Sequence, residues 1–261
     1  MLKLEDLERR YSNITLPSDG VFYDNKCSKI KLYHLEGNDV TLLTDVNLIA
    51  SGDLIDTLLY NKISKADGYD LFIPPQKMIV GDRNALIVML RIHLDKFYKI
   101  PLTDPVSGER FVHAFDLTTL KTKEIETVPN DDKTFDFVFE KSLHKNGEFK
   151  PVVCKFRLMT GEDEKNLRDE QKRQKMNESQ YTILKLKELI SEIGENKEKA
   201  FIEKFLRQAD MGEVMKLSKY INDVTPGLDM NITVVSPGGE AIHTFLRFSL
   251  EFLVPGILGN Q

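Results

Sequence analysis

Tryptophan is absent from this 261-residue chain, and cysteine occurs only twice, as Cys27 and Cys154. Two thiols can neither staple a disulfide scaffold nor complete a four-thiolate zinc site, so a reducing compartment is expected. An excess of one charge is also missing. Lys+Arg 36 against Asp+Glu 41 leaves a net charge of −5, too balanced for a generic binder of nucleic acid or membrane surface. In the most helix-like region the purely apolar stretch at residues 86–90 is far below the roughly 20 residues of a membrane span. The opening Met1-Leu2-Lys3-Leu4-Glu5-Asp6 carries acids where a secretory signal would carry an apolar run, so no export is expected.

The signatures of common chemistries are missing as well. There is no Gly-rich phosphate loop, no His-Glu-x-x-His helix and no serine-nucleophile elbow. His34, His93, His113, His144 and His243 lie far apart, none at metal-ligand spacing with a cysteine. His93, on an apolar helix, reads as a core or edge residue, and Cys27 and Cys154 read as inert buried thiols. The Asp131–Asp132 pair has no apolar neighbours to raise a carboxyl pKa and reads as solvated. Lys172, Arg173 and Lys175 share their helix with Glu162, Asp163, Glu164, Asp169 and Glu170, which cancel the local field. The expectation is a non-enzymatic chain with no catalytic, cofactor-binding or metal-binding residue, no membrane contact, and neither nucleic acid nor a small molecule as its main ligand.

What is present is a mixed pattern within an ordinary globular composition, 41% hydrophobic and 30% charged. Residues 1–11 read as a helical lead-in, Leu16-Pro17-Ser18-Asp19-Gly20 as a turn, and residues 30–35 and 40–43 as extended pieces. Thr44 and Asp53 are placed to cap two helices, and Asp82 opens a buried one whose Ala85, Leu86, Ile87, Val88, Leu90 and Ile92 leave almost no polar face. Residues 100–115 form a hairpin around Pro105 and Gly108. Residues 121–133, polar and containing Pro129-Asn130-Asp131-Asp132, read as a linker. Alternating Phe135, Phe137 and Phe139, the turn pair Asn146-Gly147, and residues 151–158 predict a second hairpin. Thr160 caps a long polar helix, a second helix runs from Ile183 to a stop at Gly194, and Asp210 caps another ending near Ile221. Two extended pieces, residues 231–235 and 242–253, flank Ser236-Pro237-Gly238-Gly239-Glu240.

The two halves repeat an order of strand, threonine-capped helix start and Pro/Gly hairpin. Val112-His113-Ala114-Phe115 echoes Ile242-His243-Thr244-Phe245 across loops that differ by one residue. The expected fold is α+β with two related lobes, residues 1–125 and 126–261, the second carrying a larger helical insertion over about residues 161–222. Within that insertion Ile183, Leu186, Ile190, Phe201, Phe205, Val214 and Met215 form an apolar stripe that either packs internally or binds a protein partner.

The Leu16-Pro17-Ser18-Asp19-Gly20 turn with Tyr23, the Leu43-Thr44 helix start, the Asp82 helix with Leu90-Arg91, the hairpin leading to Phe115-Asp116-Leu117, and the ending Phe248-Ser249-Leu250-Glu251-Phe252-Leu253-Val254-Pro255 together carry a family likeness. In them the chain resembles the baseplate hub and hub-assembly proteins of T-even-type contractile-tailed bacteriophages. Relatives in that group often carry Cys-Pro-x-Cys-Gly where this chain has Asp104-Pro105-Val106-Ser107-Gly108 and Ser236-Pro237-Gly238-Gly239, so a zinc-stapled hairpin does not carry over. The resemblance implies a late virion-assembly role among other tail baseplate hub proteins, as a structural subunit or a chaperone, in the host cytoplasm or incorporated in the virion tail. It implies no catalytic residues. The alternatives are a nucleic-acid binder with degenerate zinc-ribbon-like hairpins and a cytoplasmic phage enzyme.

Overall fold

The computed structural model describes residues 8–63, 72–123, 125–143, 149–246 and 250–253. In chain order the elements are β1 (Tyr11–Thr15), β2 (Lys29–Tyr33), α1 (Asp39–Leu43), α2 (Val46–Ser51), α3 (Leu54–Lys62), α4 (Val80–Leu94), β3 (Phe97–Thr103), β4 (Arg110–Asp116) and β5 (Thr122–Lys123). There follow β6 (Phe135–Leu143), β7 (Phe149–Phe156), α5 (Gly161–Gln174), α6 (Glu178–Leu189), β8 (Ile190–Ile193), α7 (Lys199–Gln208), α8 (Met211–Val224), β9 (Gly227–Leu228), β10 (Asn231–Val235), β11 (Ala241–Phe245) and α9 (Leu250–Leu253). The result is mixed α+β, with small antiparallel sheets. Met1–Pro75, Gly81–Glu124 and Gly227–Gln261 form one unit; Gln76–Val80 and Ile125–Pro226 form the other.

The first unit is organised on α4. Its Ala85, Leu86, Ile87, Val88 and Leu90 are buried, as the near-continuous apolar run predicts. The buried charged side chains on the same helix have polar partners, apart from the Arg91 Nε atom. Arg83 pairs with Asp56 of α3, and the Arg91 guanidinium donates to the carbonyls of Asp95 and Phe97, tying down the chain beyond the helix end. Asp82 accepts from Ser18 N (2.9 Å), Ser18 Oγ (2.5 Å) and Tyr23 OH (2.6 Å). The Leu16–Gly20 turn is thereby latched to the first turns of α4. Gly20 has φ +77°, and a Cβ there would lie 2.7 Å from the Lys26 carbonyl oxygen, so this turn demands glycine.

Three local expectations change. Residues 40–43, read as extended, form α1, because Asp39 is buried against the ammonium of the equally buried Lys62 at the end of α3. Asp45 rather than Thr44 caps α2, accepting from the amides of Asn47 and Leu48, while Thr44 Oγ1 donates back to the Val40 carbonyl. Of residues 242–253, only Ala241–Phe245 is strand, and Leu250–Leu253 is helical. The helical lead-in falls largely outside the described residues, and Tyr11 already belongs to β1.

The larger correction concerns the two lobes. Residues 227–261, assigned to the second lobe by the sequence, group with the first unit, because β9 pairs with β5 and the two Pro/Gly loops meet each other. Part of the expected linker is therefore strand β5. Asp104 Oδ2 accepts from Gly238 N (2.8 Å), and its Oδ1 accepts from Val106 N (2.8 Å) and Ser236 Oγ (3.3 Å). The hairpins are also out of phase: His113 sits on the half-buried side of β4, whereas His243 sits on the exposed side of β11. A one-residue difference between strands of period two exchanges every side chain between faces, and nothing among the described residues relates the two halves as lobes.

The loop junction makes a direct prediction. A Cβ on Gly238 would lie 2.8 and 2.9 Å from the Asp104 carboxylate oxygens and 3.0 Å from Val106 Cβ, whereas a Cβ on Gly37 would meet nothing within 4 Å. Gly238→Ala is expected to lower the melting temperature and Gly37→Ala to leave it unchanged, as followed by circular dichroism.

In the second unit β6, β7 and β8 form one antiparallel sheet, with Phe135 opposite Phe156 and Phe137 opposite Cys154. The turn pair Asn146-Gly147 lies outside the described residues. Phe135, Phe139, Cys154 and Phe156 are buried, and Phe139 and Phe156 meet Phe205 of α7 and Tyr220 of α8 edge to face. Thr160 and Asp163 form the expected capping box of α5, and Asp210 caps α8. The helix expected to run to Gly194 stops at Leu189. Ile190–Ile193 instead pairs with β7, and Lys199 Nζ donates to the carbonyls of Lys187, Glu188 and Ile190 where α6 ends.

Candidate functional site

The first unit has an open cleft of about 640 Å3 whose walls include Arg9, Arg10, His34, Glu36, Asp39, Leu43 and Leu94. Its charges are largely matched internally. Arg9 Nε donates to Glu36 Oε1 at 2.8 Å with its guanidinium 4.3 Å from the Tyr33 ring centre, and Lys62 pairs with Asp39 and, at 3.5 Å, with Glu36. The hydrogen bond from Arg9 holds the Glu36 carboxyl below its usual range. Such a lining suits a surface of mixed polarity better than a ligand of one charge.

One cluster at this cleft could not be anticipated from spacing. Ser12 Oγ lies 3.0 Å from the Nε2 atoms of both His34 and His93, whose rings stack at 3.8 Å and 21°. Burial lowers both imidazole pKa values, Arg10 adding to the effect on His34 and His34 to that on His93. A hydroxyl beside an imidazole has nucleophile–base geometry, yet His93 Nδ1 is buried with no hydrogen-bond partner, so no acid orients that ring. Both Nε2 atoms converge on Ser12 Oγ, so the pair offers two nitrogens where a metal ion needs three or four protein ligands. Among the described residues, no three or more His, Cys, Asp or Glu side chains are placed to hold one.

The other singled-out residues resolve individually. Burial pushes the Cys154 thiol up to about 12 and also raises Cys27, the opposite of an activated nucleophile. Asp132 accepts from Thr134 Oγ1 and N, which keeps its carboxyl low. Arg173 bonds Glu170, and Lys175 closes α5 in the left-handed region at φ 50°. His144 lies outside the described residues.

The predicted stripe divides. Leu186 and Ile190 are buried, while Ile183, Phe205 and Val214 are half-buried. Phe201 and Met215 are exposed. The positions that fill the interior are instead Leu189 on α6, Ile202 and Leu206 on α7, and Leu217, Ile221 and Val224 on α8. On the outer side of α8, Met211 is 75% exposed and Met215 61% exposed, one helical turn apart. Met215 lines a groove with Thr182, Val214, Ser218, Lys219 and Asn222. Helical periodicity locates a stripe but cannot mark which edge of it stays wet.

No protein-family model, curated protein or solved structure matches this chain. Among the described residues no helix is long and apolar enough to cross a membrane.

Proposed function

We propose that this chain is a non-enzymatic, protein-binding component of contractile-tail baseplate hub assembly, acting by holding other hub proteins in register. The observation that carries the protein-binding part is the exposed methionine edge of α8, a helix whose opposite face is already committed to the interior through Leu217, Ile221 and Val224. Methionine side chains adapt to irregular partners, and two of them one turn apart, one lining a groove, offer such a contact. The hub assignment itself rests on the sequence resemblance. Ser18, Tyr23 and Asp82, three residues of that resemblance, act here as one hydrogen-bonded unit.

Two measurements test the proposal. Mass spectrometry of finished tails and assembly intermediates should find the chain in one or both: fixed stoichiometry in tails marks a subunit, and presence only in intermediates marks a chaperone. Absence from both, with hub assembly unaffected by deletion, refutes the role. Met211→Asp with Met215→Asp is expected to change stability by no more than about 0.5 kcal/mol each, as for other surface positions. The same pair should remove co-purification of hub proteins, and retained co-purification refutes α8 as the contact.

A further inference from the structure

We propose that β11 is a self-association edge, where two copies of this chain join antiparallel, strand to strand, about a two-fold axis at His243. The backbone carries the first part of the argument. Ser236 N donates to Glu240 O, and Leu246 N donates to Met230 O, which fixes the even-numbered residues of β10 and β11 as the hydrogen-bonded pairs between them. The N–H and C=O groups of Ala241, His243 and Phe245 therefore point away from β10, and among the described residues no backbone partner meets them. Paired backbone is the rule in native proteins, and an open strand edge is a template for another strand.

Gatekeepers guard comparable edges elsewhere in the chain. Pro101 leaves β3 without one of its outward N–H groups, Arg110 opens β4, Lys31 lies on the outer face of β1–β2, and Glu192 lies within β8. By contrast, the outer face of β10–β11 has no Lys, Arg, Asp or Glu, and Phe245 on it is 55% exposed. Such residues on the other edges disfavour self-pairing through repulsion or a missing donor.

The side chains select a second copy as the occupant. Antiparallel pairing centred on His243 sets Ala241 of each copy opposite Phe245 of the other, small against large on one face, with the two His243 residues at the axis. The outward backbone groups of the two strands then satisfy each other in the same register.

The test is the solution mass of the full chain by light scattering after size exclusion, from low-micromolar to submillimolar concentration. The mass is expected to rise from the 30.0 kDa of one chain toward twice that value. His243→Pro removes the central outward N–H and spares the backbone hydrogen bonds of β10–β11, though it also removes the imidazole whose Nδ1 lies 2.9 Å from Thr233 Oγ1, and it should weaken dimerisation by about tenfold or more, as loss of a central interface contact does. Phe245→Arg changes only an exposed side chain, replaces the ring that covers Ala241 of the other copy with a charge and should do the same, so the test survives if the proline variant fails to fold. A chain that stays monomeric throughout overturns the proposal and leaves the edge to a strand of another protein. A dimer that persists in both variants also overturns it.

Discussion

Glu213→Ala is expected to destabilise the second unit by about 3–5 kcal/mol, measured as a fall in the urea midpoint followed by circular dichroism, since the chain lacks tryptophan. The reason begins at Pro151. In the β6–β7 register Phe139 faces Val152 and Ser142 faces Lys150, so Glu140 and Lys141 bulge opposite a proline that has no N–H to offer. The amides of the two bulged residues turn to a helix instead. Glu213 of α8, 4% exposed, accepts from Glu140 N at 2.7 Å and from Lys141 N at 3.0 Å. Hydrogen bonds to a charged acceptor contribute about 1.5–3 kcal/mol each, and removing the acceptor also strands two donors. Glu213→Gln keeps one oxygen as an acceptor and should lose about half as much. If Glu213→Ala shifts the midpoint no more than a surface substitution does, the carboxylate is not what holds the bulge to the helix.

Asp82→Ala should cost about as much, roughly 3–5 kcal/mol, because it removes the acceptor of three hydrogen bonds in a fully buried site. Tyr23→Phe removes one of the three and should cost about 1–2 kcal/mol. The site also predicts a pH signature. Burial raises the Asp82 carboxyl above its ordinary 3.8, against the opposing hydrogen bonds from Ser18 and Tyr23. A native state that holds this proton more tightly than the unfolded chain gains stability from it below about pH 3.8, and loses that gain as pH rises through the native value. Asp82→Asn does not titrate, so the stability of the parent chain relative to Asp82→Asn should be greatest in acid and decline toward neutrality. A relative stability that instead grows with pH would mean that hydrogen bonding, not burial, dominates this carboxyl.

Features legible in the sequence were those whose cause lies within a few residues. The alternation of Phe135, Phe137 and Phe139 shows in β6, the Thr160 and Asp210 caps hold, and the apolar run after Asp82 is a buried helix. Period and capping are local properties, set by neighbours up to four residues away. The errors lie where a distant partner overruled local preference. Ile190 and Ile193 continue a helical period, yet the open edge of β7 takes them as a strand. Residues 40–43 look extended, yet Lys62 and Asp39 hold them in a helical turn.

The candidate surfaces divide in the same way. Periodicity alone placed an apolar stripe on the helices of the second unit, because amphipathic spacing is written into the chain. Only the fold decided that Leu186 and Ile190 go inward while Phe201 and Met215 stay wet, since that depends on which helix face meets the sheet. Tertiary structure alone brought Ser12, His34 and His93 together, set Asp104 against Gly238, and left the edge of β11 open. Each of these depends on where remote segments come to lie, a property of the whole packed chain that local spacing does not encode.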